Sequence, residues 1–244
     1  ILSVSIIEHW SNYKERFELD NKFILPDYII VNDKIAKKAA IKAGLPDNKI
    51  FIGGNPYLES LSNISLKKSF KSTWEKTIGC LNKKIILFIS ESIKSSFSKE
   101  KNNSFGYTEF DVLDAVINML PNDSILIIKT HPEENINKYD YLKSSNVVVL
   151  NHLNFNDMVN IPDLIIGMAS MLLIELAIFR NDIICYRPNA KKEFIGKKLE
   201  IITEISKKEE LNKYLNFNQS AKNIKFKNKF SGSKNRISNF LERI

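Results

Sequence analysis

Residues 163–186 read DLIIGMASMLLIELAIFRNDIICY. Leu164–Ile166 is a short, continuous apolar run that stops at Gly167. A run of that length bounded by turn residues suits a strand buried on both faces. A helix is expected to start near Ala169 or Ser170, and a second apolar run follows in NDIICYRP, residues 181–188. Strand, turn, helix, strand is a βαβ unit, and such a crossover makes its two strands parallel.

The same rhythm extends outward. Upstream lie KKIILFISES (83–92), SILIIK (124–129) and NVVVLN (146–151), with an amphipathic helix at 109–120 whose Phe110, Leu113, Ile117 and Leu120 share a face. Residues 1–61 read β-α-β-α-β: ILSVSII, a helix in EHWSNYKERFEL, DYIIVND (27–33), the helix KIAKKAAIKAG with Gly44 as its cap, and NKIFIGGNPYLESL. Gly53 and Gly54 are expected to allow a tight crossing between domains. Residues 62–82 are polar and Lys-rich, a linker with one helix around Trp74, and 93–108 reads as a mobile loop. The tail NRISNFLERI carries Ile237, Phe240, Leu241 and Ile244 at helical spacing, so a docked helix is expected there. The fold class is α/β, doubly wound.

In open parallel sheets, ligands bind outside the carboxyl ends of the strands. That rule brings together Ser90-Glu91-Ser92, Lys129-Thr130-His131-Pro132-Glu133, Asn151-His152 and Gly167-Met168-Ala169-Ser170. A helix start after Gly167 offers free N–H groups to an anion, and Ser170 adds a hydroxyl or simply caps the helix. Glu175, the charge inside an apolar helix, could accept two ribose hydroxyls or face water. His131, set by Pro132, suits a phosphate donor or a general acid, or an ordinary surface turn. Glu133 and Glu134 would repel a phosphate, so at least one is expected to turn away. His152 is read as a turn residue with a lesser claim to a ligand role. Glu8, His9, Trp10, Asn12 and Tyr13 cluster at the tip of the first strand.

Composition narrows the classes. The 244 residues are 43% hydrophobic and 26% charged, enough for one large or two small cores. No apolar run approaches the ~20 residues of a membrane span. Leu172–Phe179, the longest, is broken by Glu175, and no secretory signal is visible. The chain begins with Ile, which reads as a fragment or a trimmed product. Cys80 and Cys185 share no metal spacing with the three histidines, so free thiols in a reducing cytosol are expected, with no metal site. Net charge is +8, but the cations are mostly Lys rather than Arg and no nucleic-acid motif is present, so nucleic acid is not an expected partner.

In order, HWSNYKERF, PDYIIVND, AGLPDNKIFIGGNPYLESL, KKIILFISES, IIKTHPEE and DLIIGMASMLLIELAIFRNDIICYRP resemble glycosyltransferases of the GT-B type over essentially the whole chain. IIKTHPEE is similar to the His-Pro motif of bacterial sialyltransferases, polysialyltransferases and capsule polymerases. Ser170-x4-Glu175-x-Ala177 also resembles the non-hydrolysing nucleotide-sugar 2-epimerases. The acidic pair-plus-Gly motif of several sialyltransferases is absent. The epimerases' H-x-N-P is His131-Pro132 here, and their Glu-Glu pair is Glu175-Leu176.

The resemblance implies the end of an N-terminal α/β domain at 1–61, a linker at 62–82, a Rossmann-like nucleotide-sugar domain at 83–225, and a helix at 226–244 packing back on the N-terminal part. It implies a cytoplasmic transferase of surface polysaccharide or glycolipid biosynthesis, peripheral at the inner face of the membrane. The donor would be a nucleotide-sugar and the acceptor a saccharide or lipid-linked glycan, with no cofactor and no metal. Ser90, His131, Pro132, Glu133, Ala169, Ser170 and Glu175 would form the nucleotide and phosphate site. His131, His9 and Glu8 would be catalytic, one of the latter two as general base. An epimerase or hydrolase, or a non-catalytic binding protein, is the alternative.

If the Lys excess forms a membrane-facing surface, each Lys near anionic lipid contributes ~1 kcal/mol. The protein should then co-sediment with anionic vesicles at low salt and be released at high salt. Equal binding to neutral vesicles, or none to either, rejects that surface.

Overall fold

The computed structural model describes residues 1–67, 69–96, 105–142, 145–221 and 228–244. The chain divides into two units, Ile1–Ile64 with Lys227–Ile244, and Ser65–Phe226. The 225/226 boundary read from the sequence lies outside the described residues, as do residues 97–104 of the expected loop at 93–108.

In the first unit, β1 (Val4–Ile7), β4 (Tyr28–Val31) and β5 (Ile50–Ile52) form a parallel sheet in the order β1-β4-β5. The central strand is the most apolar, and Ile29, Ile30 and Val31 are fully buried. Helix α1 (Lys34–Lys42) packs Ala36 and Ala40 against Ile7, Ile29, Val31 and Ile50. Asp33 starts it, with Oδ1 accepting Ala36 N–H at 2.8 Å. After β5, Asn55 caps α2 (Pro56–Ser62).

EHWSNYKERFEL, expected to be a helix, is instead a series of turns leading to a hairpin of β2 (Glu18–Leu19) and β3 (Lys22–Phe23). Tertiary bonds override its helical spacing. Trp10 Nε1 donates to Asp33 Oδ2 at 2.9 Å, and Tyr13 donates to the His9 carbonyl. Asn12 has φ +59°, and Asp20 and Asn21 have φ +50° and +59°. Two consecutive left-handed residues suit a two-residue hairpin turn.

Gly53 and Gly54 lead from β5 into α2 within this unit, so they are not an interdomain crossing. They make room for the C-terminal helix, Ser233–Leu241. A Cβ on Gly53 would lie 2.7 Å from Ile237, and one on Gly54 2.1 Å from the Ser233 hydroxyl. The Phe240 ring stacks on Phe51 at 4.1 Å between centroids. Glu59 accepts the Gly232 and Lys234 N–H groups at 2.6 and 2.8 Å, a carboxylate at a helix start.

The second unit opens with α3 (Lys71–Ile78), which lies within the stretch read as linker, and continues with β6 (Lys84–Ile89), α4 (Ile93–Ser96) and α5 (Glu109–Asn118). Then come β7 (Ser124–Lys129), β8 (Val147–Leu150), α6 (Phe155–Asn160), β9 (Leu164–Gly167), α7 (Met171–Ala177), β10 (Ile183–Tyr186), α8 (Ile195–Lys198), β11 (Thr203–Ile205) and α9 (Lys208–Leu215). Six strands form one parallel sheet in the order β8-β7-β6-β9-β10-β11. Counted from β6, that order is 3-2-1-4-5-6, the doubly wound arrangement. It reverses between β6 and β9, where Phe88 is registered with Ile166.

Strands β6, β7, β9 and β10 are buried nearly throughout. Each buried Ile, Leu or Phe contributes roughly 1.5–3 kcal/mol. Thr108 and Asp111 form a capping box at the start of α5. The buried face of that helix is Val112, Leu113 and Val116 with Glu109, so Phe110 and Ile117 lie at its margin rather than its centre.

Gly54→Ala tests the helix seat. A left-handed φ of +96° and the 2.1 Å approach to Ser233 should together cost about 2–4 kcal/mol. Urea unfolding followed by the near-UV signal of the first unit's aromatics measures it. An unchanged midpoint rejects the seat.

Candidate functional site

The β7 tip is built by short-range bonds. The His131 N–H donates to Glu134 Oε2 at 2.8 Å, and the Glu134 N–H returns to the His131 carbonyl at 3.0 Å. The Glu133 N–H donates to His131 Nδ1 at 3.3 Å. A ring nitrogen that accepts a hydrogen bond carries no proton, so Nε2 is the protonated nitrogen and a donor. Pro132 fixes the turn that makes this possible.

Beneath the turn lies a polar network. Glu134 Oε1 accepts the Ser90 hydroxyl at 3.0 Å and also Lys138 Nζ. Ser90 shares a further hydrogen bond with the Tyr139 hydroxyl. Lys138 donates to Glu109 Oε1 at 2.9 Å, and Glu109 Oε2 accepts the Lys94 N–H at 2.8 Å. Burial pushes Tyr139 up to about 12. Burial works against the Lys138 charge, yet Glu134 and Glu109 hold its pKa above the usual lysine value.

Beside the tip is a cavity of about 340 Å³ lined by Lys129, Thr130, His131, Asn135, Asn151 and His152, with Ile136 and Leu153 as its apolar part. Thr130 is buried and its hydroxyl has no partner. Lys129 Nζ donates to the Thr130 carbonyl at 2.8 Å, and burial lowers its pKa. The cavity offers amides, two imidazoles and an apolar wall, a donor and acceptor set suited to a planar heterocycle.

At the reversal between β6 and β9, Glu91 Oε1 accepts the Ala169 N–H at 2.6 Å. Burial pushes the Glu91 carboxyl up to about 7, against the opposing pull of the N–H groups of Ala169, Ser170 and Met168 and of Arg187. Arg187, at the end of β10, is buried. It donates to the Tyr107 hydroxyl at 2.9 Å, to Glu204 at 2.7 Å and to the Lys192 carbonyl at 2.6 Å. Ser170 is the cap of α7, its Oγ accepting the Leu172 N–H at 3.2 Å.

The structure thus gathers Ser90, His131, Pro132, Glu133, Ala169, Ser170 and Glu175 in the second unit. The first six stand at the carboxyl edge of its sheet, and Glu175 lies within α7. Ser90 is 2% exposed with its hydroxyl spent on Glu134 and Tyr139, so it holds the turn. Pro132 and Glu133 are exposed, and Glu175 is half-buried. Glu8 and His9 lie in the first unit, exposed at the tip of β1. The Glu8 carbonyl is held by Asn32 and Asn55 at 3.0 and 3.1 Å.

Sequence reading missed Glu109, Lys138, Tyr139, Tyr107 and Arg187. A carboxylate on the first turn of an amphipathic helix and an arginine closing an apolar strand were the available signals. Among the described residues, no group of three His, Cys, Asp or Glu could hold a metal ion, and no helix is long and apolar enough to cross a membrane.

No protein-family model and no curated protein sequence matches the chain. Solved structures do. Anabaena HepE in complex with UDP-glucose matches at a TM-score of 0.65 and 14% identity, over 99% of this chain and 72% of that one. UDP-GlcNAc 2-epimerase from Methanocaldococcus jannaschii, in complex with UDP-GlcNAc and UDP, matches at 0.59 and 18% identity, over 90% and 62%. The Neisseria meningitidis UDP-GlcNAc 2-epimerase bound to UDP-GlcNAc matches at 0.59 and 14%, over 90% and 62%.

The fold is GT-B-like. The six-stranded unit is its Rossmann-type half, and the chain spans less than two thirds of the epimerases' length. The likeness is one of fold, to HepE and the 2-epimerases, and nothing in it singles out the sialyltransferases.

Glu91 sets a pH dependence. Its carboxyl titrates near 4.5 without the fold and at about 7 within it, so the native state holds this proton more tightly. The stability it contributes is complete below pH 4.5 and is lost as pH rises through 7, up to about 3 kcal/mol. Glu91→Gln should therefore raise Tm relative to wild type at pH 8 and change it little at pH 4.5. Parallel melting curves across that range remove this role from Glu91.

Proposed function

We propose that the chain acts on a nucleotide-activated sugar, as a glycosyltransferase whose second unit holds the donor at the carboxyl edge of its sheet. The observation that carries the reading is the His131 ring. Its Nδ1 is tied to its own turn, so Nε2–H is aimed away from the backbone at the tip of a strand beside the order reversal. Its proposed role is to donate a hydrogen bond to a donor phosphate and to offset the charge that grows on the leaving phosphate as its bond to the sugar breaks, the ring keeping its proton throughout.

The 340 Å³ cavity beside it is the proposed seat of the nucleobase. Ser170 is the second phosphate contact and Glu175 the ribose contact. Glu133, exposed in the turn, is the proposed contact to sugar hydroxyls rather than to phosphate. Glu8 and His9 are the proposed proton acceptors for the incoming hydroxyl, on a saccharide or lipid-linked acceptor at the inner membrane face. The UDP-sugar complexes of the similar folds support a uridine nucleotide as the first donor to try.

A second reading, a nucleotide-sugar 2-epimerase, is favoured by the Ser170-x4-Glu175 spacing and by the epimerase likeness. Product analysis separates the two, because a transferase releases free nucleotide only with acceptor present, whereas an epimerase returns an altered nucleotide-sugar.

Among UDP, CDP, GDP and CMP, one is expected to raise Tm. Saturation at 100 times Kd corresponds to ~2.7 kcal/mol. His131→Ala should weaken that nucleotide about tenfold to a hundredfold, the worth of a charge-assisted hydrogen bond, with little change in Tm. Calorimetric titration of both proteins decides. If no nucleotide shifts wild-type Tm, the donor reading fails.

A further inference from the structure

The Glu134 side chain is fully buried, although it closes a run of ionisable residues at a loop tip. A buried carboxylate survives only when paired and hydrogen-bonded. Glu134 satisfies that condition completely. Oε2 accepts the His131 N–H at 2.8 Å, while Oε1 accepts the Ser90 hydroxyl and Lys138. Ser90 follows β6 and His131 follows β7, and these strands are adjacent partners with Ile89 opposite Lys129. One carboxylate therefore clips together two neighbouring strand tips. Through Lys138 and Glu109 the clip is fastened to the first turn of α5 and to the Lys94 N–H of α4.

We propose that Glu134 is the positioning residue of this site, holding the 131–134 turn so that His131 presents one fixed nitrogen, Nε2–H, to the ligand. This rests on the donor-site reading of His131. The geometry explains why reach matters as well as charge. The His131–Glu134 pair closes the turn on itself, and only inside that closed turn does the Glu133 N–H meet His131 Nδ1. If the carboxylate is withdrawn, the turn opens, the Glu133 N–H leaves Nδ1, and the ring exchanges between tautomers.

The test is the imidazole of His131 in long-range 1H–15N spectra, assigned with His131→Asn, on wild type, Glu134→Gln, Glu134→Asp and Glu134→Ala. The wild type should show a single Nε2–H tautomer. Glu134→Gln keeps an oxygen for the His131 N–H at full length but turns its amide NH2 toward Ser90 and Lys138, so it should keep that pattern with UDP affinity within about threefold, at a lower Tm. Glu134→Asp keeps the charge but is one methylene short. It should show mixed tautomers and bind UDP about tenfold more weakly, the loss of one good hydrogen bond. Glu134→Ala should behave like Glu134→Asp, with a lower Tm.

If Glu134→Ala does not fold, the Gln–Asp pair decides alone. A single unchanged tautomer in Glu134→Asp overturns the proposal, as does loss of the pattern in folded Glu134→Gln. The spectra need no ligand, so a protein that binds none of UDP, CDP, GDP and CMP refutes the donor reading while the imidazole still decides the role of Glu134.

Discussion

In a parallel sheet every strand points the same way, so every strand ends on the same edge. Here that constraint applies to six strands, and the chemistry of the second unit follows from it. Ser90, Thr130, Asn151, Met168 and Arg187 are far apart in sequence but each directly follows a strand. The reversal between β6 and β9 sends the flanking connections to opposite faces and leaves space above the two strands.

What stands at that edge is a set of charges taken partly out of water, and such groups are stable only as closed arrangements. Glu134, Lys138 and Glu109 form one, and Arg187, Glu204 and Tyr107 form another. Glu91 sits on backbone N–H groups between β9 and α7. Breaking any of these leaves an uncompensated group in a low-dielectric site. Their value lies less in net stability than in fixing loops that would otherwise have several conformations. The buried Thr130 hydroxyl, in a residue of the cavity wall, has no hydrogen-bond partner.

The strands were legible because strands buried on both faces leave a continuous apolar run, as in Lys84–Ile89 and Ser124–Lys129. The functional edge was legible because strand ends are followed by polar residues whose order is fixed once the sheet is parallel. The segment around Trp10 was not legible, since Trp10 and Tyr13 carry helical spacing while their polar atoms seek distant partners. Nor was the structural role of Ser90, or the burial of Glu109, because neither residue type declares which neighbour will claim it. The structure shows the Ser170 cap, which uses a lone pair of Oγ, whereas the proposed phosphate contact uses the O–H of the same group.

The first unit is discontinuous in sequence, since its sheet comes from the start of the chain and one of its covering helices from the end. During synthesis, Ile30, Phe51 and the Gly53-Gly54 turn emerge long before Ile237 and Phe240 can cover them. The second unit is continuous in sequence and can close on its own residues, whereas the first must wait for Lys227–Ile244 to be made. Until then the face of β4 and β5 that Ile237 and Phe240 cover stays bare, which is where a chaperone would find its opportunity.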